Sequence, residues 1–399
     1  MTRSLPTLLL AVAVLTGACS GGSTTQAPRP SVGATAAQTT TTTEPTTTTT
    51  TPSIEIDGAS RGLTLMVRDF YAYASGQTDD RPPAPDEVVA AISPGEADLA
   101  FRGSAQTGVF DGQRLAVVEV GSDVFLAVDD DETGWRIVGG EWPSLSVPPY
   151  FGETPRHVAV VGSDARPGQD VDRSRADSIH FVALDGEGGG AVVGLPRDSW
   201  VAVPGHGRTK ITNSLSMGGP EALMGAFADL TGLPFEGYVL TGFSGFESLL
   251  GSVLGGVAVD VPFAINDRWA HVSLQAGTQM LDGAQALGFS RARKTVPGGD
   301  FTRSEHQGMI LLASAESVRS MGVGSIPGLL ERSEPHIITD LSPEQLLTFS
   351  AMAIHSDLDE MPNIVAPGSP GSAGGASVVF LSGSVDELWA DLADGRLDD

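Results

Sequence analysis

Apolar residues recur with two different spacings in the first globular part of the chain. Between residues 63 and 73 they follow the three- and four-residue spacing of an amphipathic helix. Three short runs, at 114–120, 124–128 and 135–138, are typical of strands and are separated by turn signals such as DDDETG. Residues 54–148 are therefore predicted to form a small α+β accessory domain.

From residue 157 onwards the pattern changes to strands that alternate with helices. Strands are predicted at 157–162, 178–184, 191–195 and 378–381, and helices at 221–231, 245–254, 285–290, 303–320 and 386–392. This alternation favours a three-layer α/β/α domain with a central mixed sheet. We expect the domain to span residues 149–335 and to be followed by a C-terminal extension, 336–399, that packs on it.

The N-terminal segment has the features of a leader and a tether. Arg3 precedes an apolar run at 5–15 that is too short to span a bilayer, and the chain's one cysteine, Cys19, follows the small residues Gly17 and Ala18. This resembles a bacterial lipoprotein signal peptide, 1–18, with Cys19 as the acylated N-terminus; an ordinary secretory leader is the alternative. The Thr- and Pro-rich residues 19–53 predict a disordered tether. We therefore expect a protein anchored by lipid to the outer face of the cytoplasmic membrane.

The balance of charge narrows the range of functions. The chain has 23 Lys and Arg against 49 Asp and Glu, a formal net charge of −26. Such a protein repels nucleic acid, and an anionic substrate would need a local basic pocket or a metal ion. The sequence contains no HExxH, GxSxG or Walker motif, which disfavours a zinc enzyme, an acyl hydrolase and an NTPase.

Five polar clusters interrupt the predicted α/β domain at strand ends or in loops. They read GSDARPG, RSRADS, LPRDS, RTKITNS and SRARKTVPGGDFTRSEHQ. Arg175 and Asp177 are two residues apart in an extended segment and so share a face, and Arg291 and Arg293 have the same spacing. Paired guanidinium groups suit a pyrophosphate, and Asp164 with Asp177 could hold one hard cation. Together these groups indicate phosphoryl transfer.

The motifs and their order resemble the LytR–CpsA–Psr family over residues 157–320. They are GSDxR, RxD before a strand, PRD after one, KITN before the GGPEAL helix, FxGFxxLL, LGGVxVDVP, AGTQxLDGxQAL, RxR and GDFxR. The resemblance implies an enzyme that transfers a glycopolymer from a polyprenyl-pyrophosphate carrier to peptidoglycan. It also implies Mg²⁺ as the cofactor, with Mn²⁺ as an alternative.

The resemblance further implies roles for single residues. Asp164 and Asp177 correspond to metal-binding aspartates. The expected pyrophosphate-binding residues are Arg166, Arg175, Arg197, Lys210, Arg291, Arg293, Arg303 and Gln307. The expected catalytic residues are Arg175, Arg197, Asp198, Asp300 and Arg303. The family has a second arginine where this chain has His306, so we expect the pocket to lose a permanent charge there.

Other interpretations stay open at the level of sequence. A hydrolase would cleave the same pyrophosphate and release the glycan to water, and a non-catalytic protein would only bind the carrier. The two candidate metal aspartates and Arg197 argue against the non-catalytic alternative. The DETGWRIVGG run in the accessory domain loosely resembles NTF2-like domains, but that domain carries no catalytic constellation and a spacer is the simpler interpretation.

Overall fold

The structure, a computed structural model, describes residues 54–95, 101–130, 133–166 and 168–397. The signal peptide, Cys19 and the tether predicted for residues 1–53 lie outside these ranges. None of the helices in the described ranges is both long enough and apolar enough to cross a membrane.

The N-terminal part of the described chain contains a sheet whose six strands follow chain order. Its elements are β1 (Ile54–Asp57), α1 (Arg61–Ala74), α2 (Asp86–Ala91), β2 (Phe101–Phe110), β3 (Gln113–Val120), β4 (Asp123–Asp130), β5 (Gly134–Trp142) and β6 (Val147–Tyr150). β1 pairs in parallel with β2, and the later pairs are antiparallel. The predicted helix and the three predicted strands are confirmed, whereas β1, β2 and β6 have no counterpart in the sequence analysis.

The rest of the chain builds a second six-stranded sheet, covered by helices. Its elements are β7 (Arg156–Ser163), β8 (Ala176–Leu184), β9 (Gly190–Gly194), β10 (Trp200–Val203), β11 (Gly207–Lys210), α3 (Thr212–Thr231), β12 (Gly237–Thr241), α4 (Phe243–Ser248), β13 (Val257–Val261), β14 (Ile265–Asp267), β15 (Val272–Leu274), β16 (Gly277–Leu281), α5 (Gly283–Arg291), α6 (Asp300–Met321), α7 (Ile326–Ser333), β17 (Ile338–Thr339), α8 (Pro343–His355), β18 (Asn363–Val365), β19 (Gly368–Ala373), β20 (Ala376–Leu381) and α9 (Val385–Asp391).

The second sheet is the central sheet, with strand order β17-β12-β7-β8-β9-β18. The β7–β12 and β9–β18 pairs are parallel and the remaining pairs are antiparallel, which confirms a mixed sheet. Side chains alternate between its two faces. Ala159 and Val161 pack with α3 and α9, whereas Val158 and Val192 pack with α7 and α8. The three-layer α/β/α architecture is thus confirmed.

Helices α7 and α8 are shared between the two sheets. One face of the N-terminal sheet packs against α1 and α2, and the other packs against α7 and α8. At Gly108 in β2 the backbone passes so close to the Pro327 carbonyl of α7 that an added Cβ would overlap it. Ion pairs of Arg136 with Glu344 and of Glu141 with His355 reach α8 from the same sheet.

Two predicted helices differ in detail from the observed ones. The helix predicted at 221–231 begins earlier, at Thr212, and is broken at Gly219, whose positive φ of 72° precedes Pro220. Proline has no amide hydrogen to donate, so a break at this point is expected. The helix predicted at 245–254 is α4 followed by a π-helical turn, Leu249–Val253.

The predicted limits 54–148, 149–335 and 336–399 remain predictions. The last of these segments contributes β17 and β18 to the two edges of the central sheet.

Candidate functional site

A cavity of about 700 Å³ lies between the central sheet and helices α4 to α8. Its charged wall, here called the mouth, is built from the end of β7, the start of β8, the loop after β9, the end of β14, the loop after α5 and the start of α6. The mouth residues are Asp164, Arg166, Arg175, Asp177, Arg197, Asp267, Arg291, Arg293, Lys294 and Arg303. The mouth therefore holds seven cations and three carboxylates, whereas carboxylates outnumber cations by about two to one in the whole chain.

The apolar part of the remaining wall is here called the channel; polar side chains such as Ser163, His180 and Gln307 complete the lining. The channel residues come from the π-helical turn after α4 and from α6, α7 and α8, and they include Leu250, Val253, Leu311, Ala315, Val318, Leu329, Leu330, Phe349 and Ile354. Apolar side chains facing an open space offer a surface for a hydrocarbon rather than for a polar ligand. The cavity thus joins a cationic end to an apolar one.

At the mouth, Asp164 and Arg175 form the first of several ion pairs. The Arg175 amide donates to Asp164 Oδ1 at 3.0 Å, and its Nε donates to Oδ2 at 2.9 Å. These bonds raise the pKa of Arg175, so its guanidinium stays charged. Asp164 is largely buried, whereas Arg175 is 55% exposed and can turn towards a ligand.

Asp177 and Asp300 hold Arg197 between them. Arg197 Nη1 donates to Asp177 Oδ2 at 2.6 Å, and its Nε lies 3.8 Å from Asp300 Oδ2. Burial opposes the charge of Arg197, but the two carboxylates outweigh it and raise its pKa. The buried Nε has no hydrogen-bond partner among the described residues and so remains a donor without an acceptor.

Arg303 is the most buried cation of the mouth, with a side chain 6% exposed. It donates to the backbone oxygen of Asp177 at 3.1 Å and to Asp300 Oδ2 at 3.2 Å. Burial lowers its pKa to about 10, which still leaves it charged at neutral pH. A buried cation whose Nε lacks a described partner favours an anionic ligand, because a further acceptor would offset its lost hydration.

Arg166 and Arg291 share one aromatic ring on the opposite side of the mouth. Their guanidinium carbons lie 5.7 Å and 4.6 Å from the centroid of Phe243. Burial, followed by repulsion from Arg166, lowers the pKa of Arg291. Two cations held near each other would gain from a ligand that carries negative charge.

The structure thus brings together five arginines that are far apart in sequence: Arg175, Arg197, Arg291, Arg293 and Arg303. Gln307 also lines the cavity, and its Nε2 donates to the Ser290 oxygen. What each residue does to a substrate stays a prediction.

Three residues assigned to the site from sequence do not line the cavity. Asp198 and Lys210 form an ion pair of 2.9 Å with each other beside it. Asp300 stands behind the wall and contacts three arginines of the mouth, Arg197, Arg293 and Arg303. The contacts of Asp300 are those of a residue that orients guanidinium groups.

His306 stands at the position where we expect the pocket to lose a permanent charge. His306 is 1% exposed, is absent from the cavity wall and stacks on Phe289 at a centroid distance of 4.2 Å. Burial lowers its pKa to about 4, so it is a neutral ring in an apolar cluster. This position therefore carries no charge in this chain, and its ring packs behind the cavity wall.

Sequence reasoning missed Asp267 and Trp269, which both belong to the cavity wall. Asp267 is 1% exposed, and Trp269, nearly half exposed, carries the ammonium of Lys294 4.5 Å from its ring centroid. Neither residue falls in a motif or cluster of the sequence analysis. A tryptophan in a polar turn, NDRWAH, is the one signal that could have drawn attention to them.

Asp164 and Asp177 are compatible with a metal ion that a substrate helps to hold. No group of three or more metal-ligating side chains occurs within the described ranges, so these residues alone offer no closed cage. Both carboxylates line the same wall and are paired with arginines. Mg²⁺ typically takes one or two protein carboxylates and completes its shell with phosphate oxygens and water, and this donor set suits that arrangement.

Comparison with known proteins identifies the family. Residues 144–393, well over half of the chain, match the model of the LytR_cpsA_psr family. The chain belongs to the LytR–CpsA–Psr family.

Among relatives, the chain is 34% identical over 175 residues to the probable cell wall biosynthesis protein LcpB of Corynebacterium glutamicum. The matched stretch covers 41% of this chain and 42% of LcpB. It is 32% identical over 179 residues to the polyisoprenyl-teichoic acid–peptidoglycan teichoic acid transferase TagT of Bacillus subtilis. The matched stretch covers 43% of this chain and 54% of TagT. The chain spans about half the length of the curated relatives it matches.

Solved structures show the same LytR–CpsA–Psr fold. The crystal structure of B. subtilis TagV matches with a TM-score of 0.52 at 23% identity, covering 61% of this chain and 98% of TagV. The protein gbs0355 from Streptococcus agalactiae matches with a TM-score of 0.53 at 18% identity, covering 62% of this chain and 90% of the other. At identities this low, the likeness shows only that the fold is shared.

Proposed function

We propose that this protein transfers a glycopolymer from a polyprenyl-pyrophosphate carrier to peptidoglycan. The observation that carries the proposal is the cavity, which joins a mouth of seven cations to an apolar channel. A polyprenyl pyrophosphate has the matching two parts, a dianionic or trianionic head and a long hydrocarbon tail. The names of relatives such as TagT, a teichoic acid transferase acting between a polyisoprenyl carrier and peptidoglycan, agree with this chemistry.

In the proposed reaction, an acceptor hydroxyl attacks the phosphorus that bears the glycan. A new bond forms between the acceptor oxygen and that phosphorus, the bond from phosphorus to the bridging oxygen breaks, and polyprenyl phosphate leaves with the bridging oxygen. The hydroxyl proton passes to solvent. The glycan phosphate is thereby joined to the wall polymer, and no oxidant or reductant is needed.

The arginines of the mouth are proposed to bind the diphosphate and stabilise the charge that moves onto the leaving phosphate. Arg197 and Arg303 are preorganised for this by Asp177 and Asp300, so little rearrangement is needed during the reaction. Arg175 is exposed enough to close on the glycan-bearing phosphate. The channel would hold the hydrocarbon tail and would exclude water from the space next to the oxygen that bridges the two phosphorus atoms.

We further propose Mg²⁺, or Mn²⁺, as the cofactor, held by Asp164 and Asp177 together with oxygens of the diphosphate. When bound, such an ion neutralises phosphate charge and orients the diphosphate for in-line displacement. The two aspartates would then exchange part of their pairing with Arg175 and Arg197 for the ion, which frees guanidinium donors for the substrate.

The test is turnover by the full chain with a polyprenyl-pyrophosphate-linked glycan, Mg²⁺ and peptidoglycan. We expect release of polyprenyl phosphate together with glycan covalently joined to the peptidoglycan. Release at the same rate without peptidoglycan, with free glycan phosphate as the product, would identify a hydrolase. Binding of the carrier without any release would leave only a carrier-binding protein.

We also propose that the protein works at the outer face of the cytoplasmic membrane, anchored by a lipid on Cys19. The leader ending in LTGAC supports this. Cys19→Ala is expected to prevent lipid attachment and so move the protein out of the membrane fraction. A variant that stays in the membrane with its leader uncleaved would show that the leader itself is the anchor.

A further inference from the structure

Asp267 occupies an unusual position for a carboxylate, because it lines the mouth of a cavity rich in cations and yet makes no ion pair there among the described residues. It ends β14, at the start of the turn that leads to β15. Its exposed fraction is 1%. A buried carboxylate beside an anion-binding surface would weaken that surface unless its charge were used for something else.

All the described hydrogen bonds of Asp267 come from backbone amides. Oδ1 accepts from the amides of Trp269 at 2.9 Å and Ala270 at 3.1 Å. Oδ2 accepts from the amides of Arg293 and Lys294, both at 3.2 Å. One carboxylate therefore ties the β14–β15 turn to the loop after α5, which lies 26 residues further along the chain. We call this set of four hydrogen bonds the clasp.

The clasp also accounts for the charge of Asp267. Burial alone would raise the pKa of this carboxyl, but the four amide donors outweigh burial and hold the pKa below its ordinary value. The carboxylate thus stays ionised, and the partial positive charges of four N–H groups surround it. Its negative charge is largely neutralised locally, so it opposes an anion in the mouth much less than a free carboxylate would.

Two residues that the clasp holds by their backbone are themselves cations of the mouth. Arg293 is 43% exposed, and the one described ion pair of its guanidinium is at 3.4 Å, to Asp300. Lys294 places its ammonium 4.5 Å from the ring centroid of Trp269, whose amide is bound by the other oxygen of Asp267. Long, exposed side chains lose much conformational freedom when they bind a ligand, and a fixed backbone reduces that loss.

We propose that Asp267 is a positioning residue, which sets Arg293 and Lys294 at the mouth and so determines how tightly the diphosphate end of the carrier is bound. The proposal rests on the proposed function, because it takes a polyprenyl pyrophosphate as the ligand. Asp267 itself does not contact the ligand and acts through the two cations. Trp269 is the second part of the same device, since the clasp keeps its ring beneath the ammonium of Lys294.

The first test measures binding of geranylgeranyl pyrophosphate, without a glycan, to the full chain by calorimetry. Asp267→Asn keeps the size of the side chain but replaces one acceptor oxygen by an amide group that cannot accept the hydrogen bonds from Arg293 and Lys294, or from the turn. We expect about a tenfold weaker affinity, the scale of losing hydrogen bonds to a charged group. Asp282→Asn is the matched control, because Asp282 caps α5 by accepting the Gln285 amide at 2.8 Å and does not line the cavity. Its affinity should equal that of the wild type.

A double-substitution cycle separates positioning from general support of the fold. In a chain that already carries Arg293→Ala and Lys294→Ala, the clasp has nothing left to position, so Asp267→Asn should weaken binding further by less than twofold. If the two effects multiply in full, Asp267 does not act through these cations and the inference is overturned. Equal affinity of Asp267→Asn and the wild type would overturn it as well. Failure of the wild type to bind geranylgeranyl pyrophosphate would instead overturn the proposed function.

A measurement on the unsubstituted protein covers the case in which Asp267→Asn does not fold. Amide hydrogen exchange should be slow at Trp269, Ala270, Arg293 and Lys294 before any ligand is added, because the clasp is formed in the free protein. Adding geranylgeranyl pyrophosphate should change these four rates little. Fast exchange in the free protein that slows only with ligand would contradict a preformed clasp and with it the positioning role.

Discussion

The two six-stranded sheets use their charged residues in opposite ways. In the N-terminal sheet the strands follow chain order, and from β2 to β6 each strand is joined to its antiparallel neighbour by a short connection. Its buried carboxylate Asp123 is satisfied within the sheet's own surroundings, by the Tyr71 hydroxyl at 2.6 Å and the Ser144 amide at 2.9 Å. Asp123 therefore ties α1 and the segment after β5 to the sheet.

The central sheet instead has crossovers, and its strands β7 and β12 are parallel neighbours that run in the same direction. Their carboxyl ends leave the sheet side by side and open a crevice, as is general for α/β sheets with such connections. Asp164 follows β7 and Phe243 follows β12, and both residues line the cavity. The comparison teaches that strand order, more than the number of polar residues, decides where a site can form.

The largest effect should come from the aspartates of the mouth. Asp164→Asn or Asp177→Asn is expected to lower Mg²⁺-dependent turnover by more than about 10³-fold, since each loses a charge proposed to hold the ion. The melting temperature should change little, because both side chains reach solvent at the cavity and Asn keeps their size, whereas Asp123 is 1% exposed and its hydrogen bonds cannot be replaced by water. Asp123→Asn in the N-terminal sheet should do the reverse, lowering the melting temperature while the folded fraction keeps full turnover. Equal losses of activity at Asp123 and Asp177 would remove the contrast between the sheets.

A smaller effect is expected from an arginine of the central sheet. Arg197→Lys keeps the charge but loses the planar fork that reaches Asp177 and Asp300. Turnover should fall about 10²-fold, the scale of losing one preorganised donor. The matched control is Arg114→Lys in β3, where the arginine pairs with Asp129 far from the cavity wall. A steady-state rate that is unchanged in Arg197→Lys would mean that Arg197 takes no part in the reaction.

The contact between the N-terminal sheet and α7, a helix that the two sheets share, can be tested at Gly108. Gly108→Ala would place a methyl group against the Pro327 carbonyl and push β2 away from α7. We expect a loss of about 1–3 kcal/mol in the free energy of unfolding, as for other overpacked sites. Gly383→Ala is the control, since an added Cβ at Gly383 meets nothing within 4 Å. Denaturant unfolding of the two variants checks this. Equal free energies of unfolding would show that β2 can move enough to accommodate the added methyl group.

The smallest effect should appear in the pH dependence of the Glu141–His355 pair. The hydrogen bond to Glu141 raises the pKa of His355. A raised pKa means that the pair adds stability below the unfolded histidine pKa of about 6.5 and that this is lost as the pH rises through the higher folded value. Because His355 is 38% exposed, solvent limits the gain to under about 1 kcal/mol. His355→Gln should therefore lower the melting temperature slightly at pH 5.5 and leave it unchanged at pH 9; the same deficit at both values would assign it to packing.

The convergence of the arginines was accessible from sequence because their motifs flank strands. Arg175, Arg197 and Arg303 lie just before a strand, just after one and at the start of a helix, and all three positions belong to one end of the sheet. The place of the motifs at strand ends, together with their family resemblance, was the basis for expecting these arginines at one site. The three-layer α/β/α arrangement was predicted from the spacing of the apolar residues.

The side that a helical residue faces was less accessible. His306 and Gln307 are neighbours in α6, but successive residues turn by about 100° around the axis. Gln307 consequently reaches the cavity while His306 stacks on Phe289. Asp267 was inaccessible for a different reason: its partners are backbone amides, which have no signature in the amino-acid sequence.

The origin of the central sheet's edges has a consequence for the order in which the chain can fold. β17 and β18 both come from the last 65 residues, and they cover the outer sides of β12 and β9. A chain that becomes free to fold from its N-terminus can pair the strands of its first sheet early, because those pairs join strands that are consecutive in the chain. The central sheet keeps one edge uncovered until residues 338–339 pair with β12 and the other until residues 363–365 pair with β9, and uncovered edges attract other chains. β17 and β18 thus protect partly folded copies of the chain from association with one another.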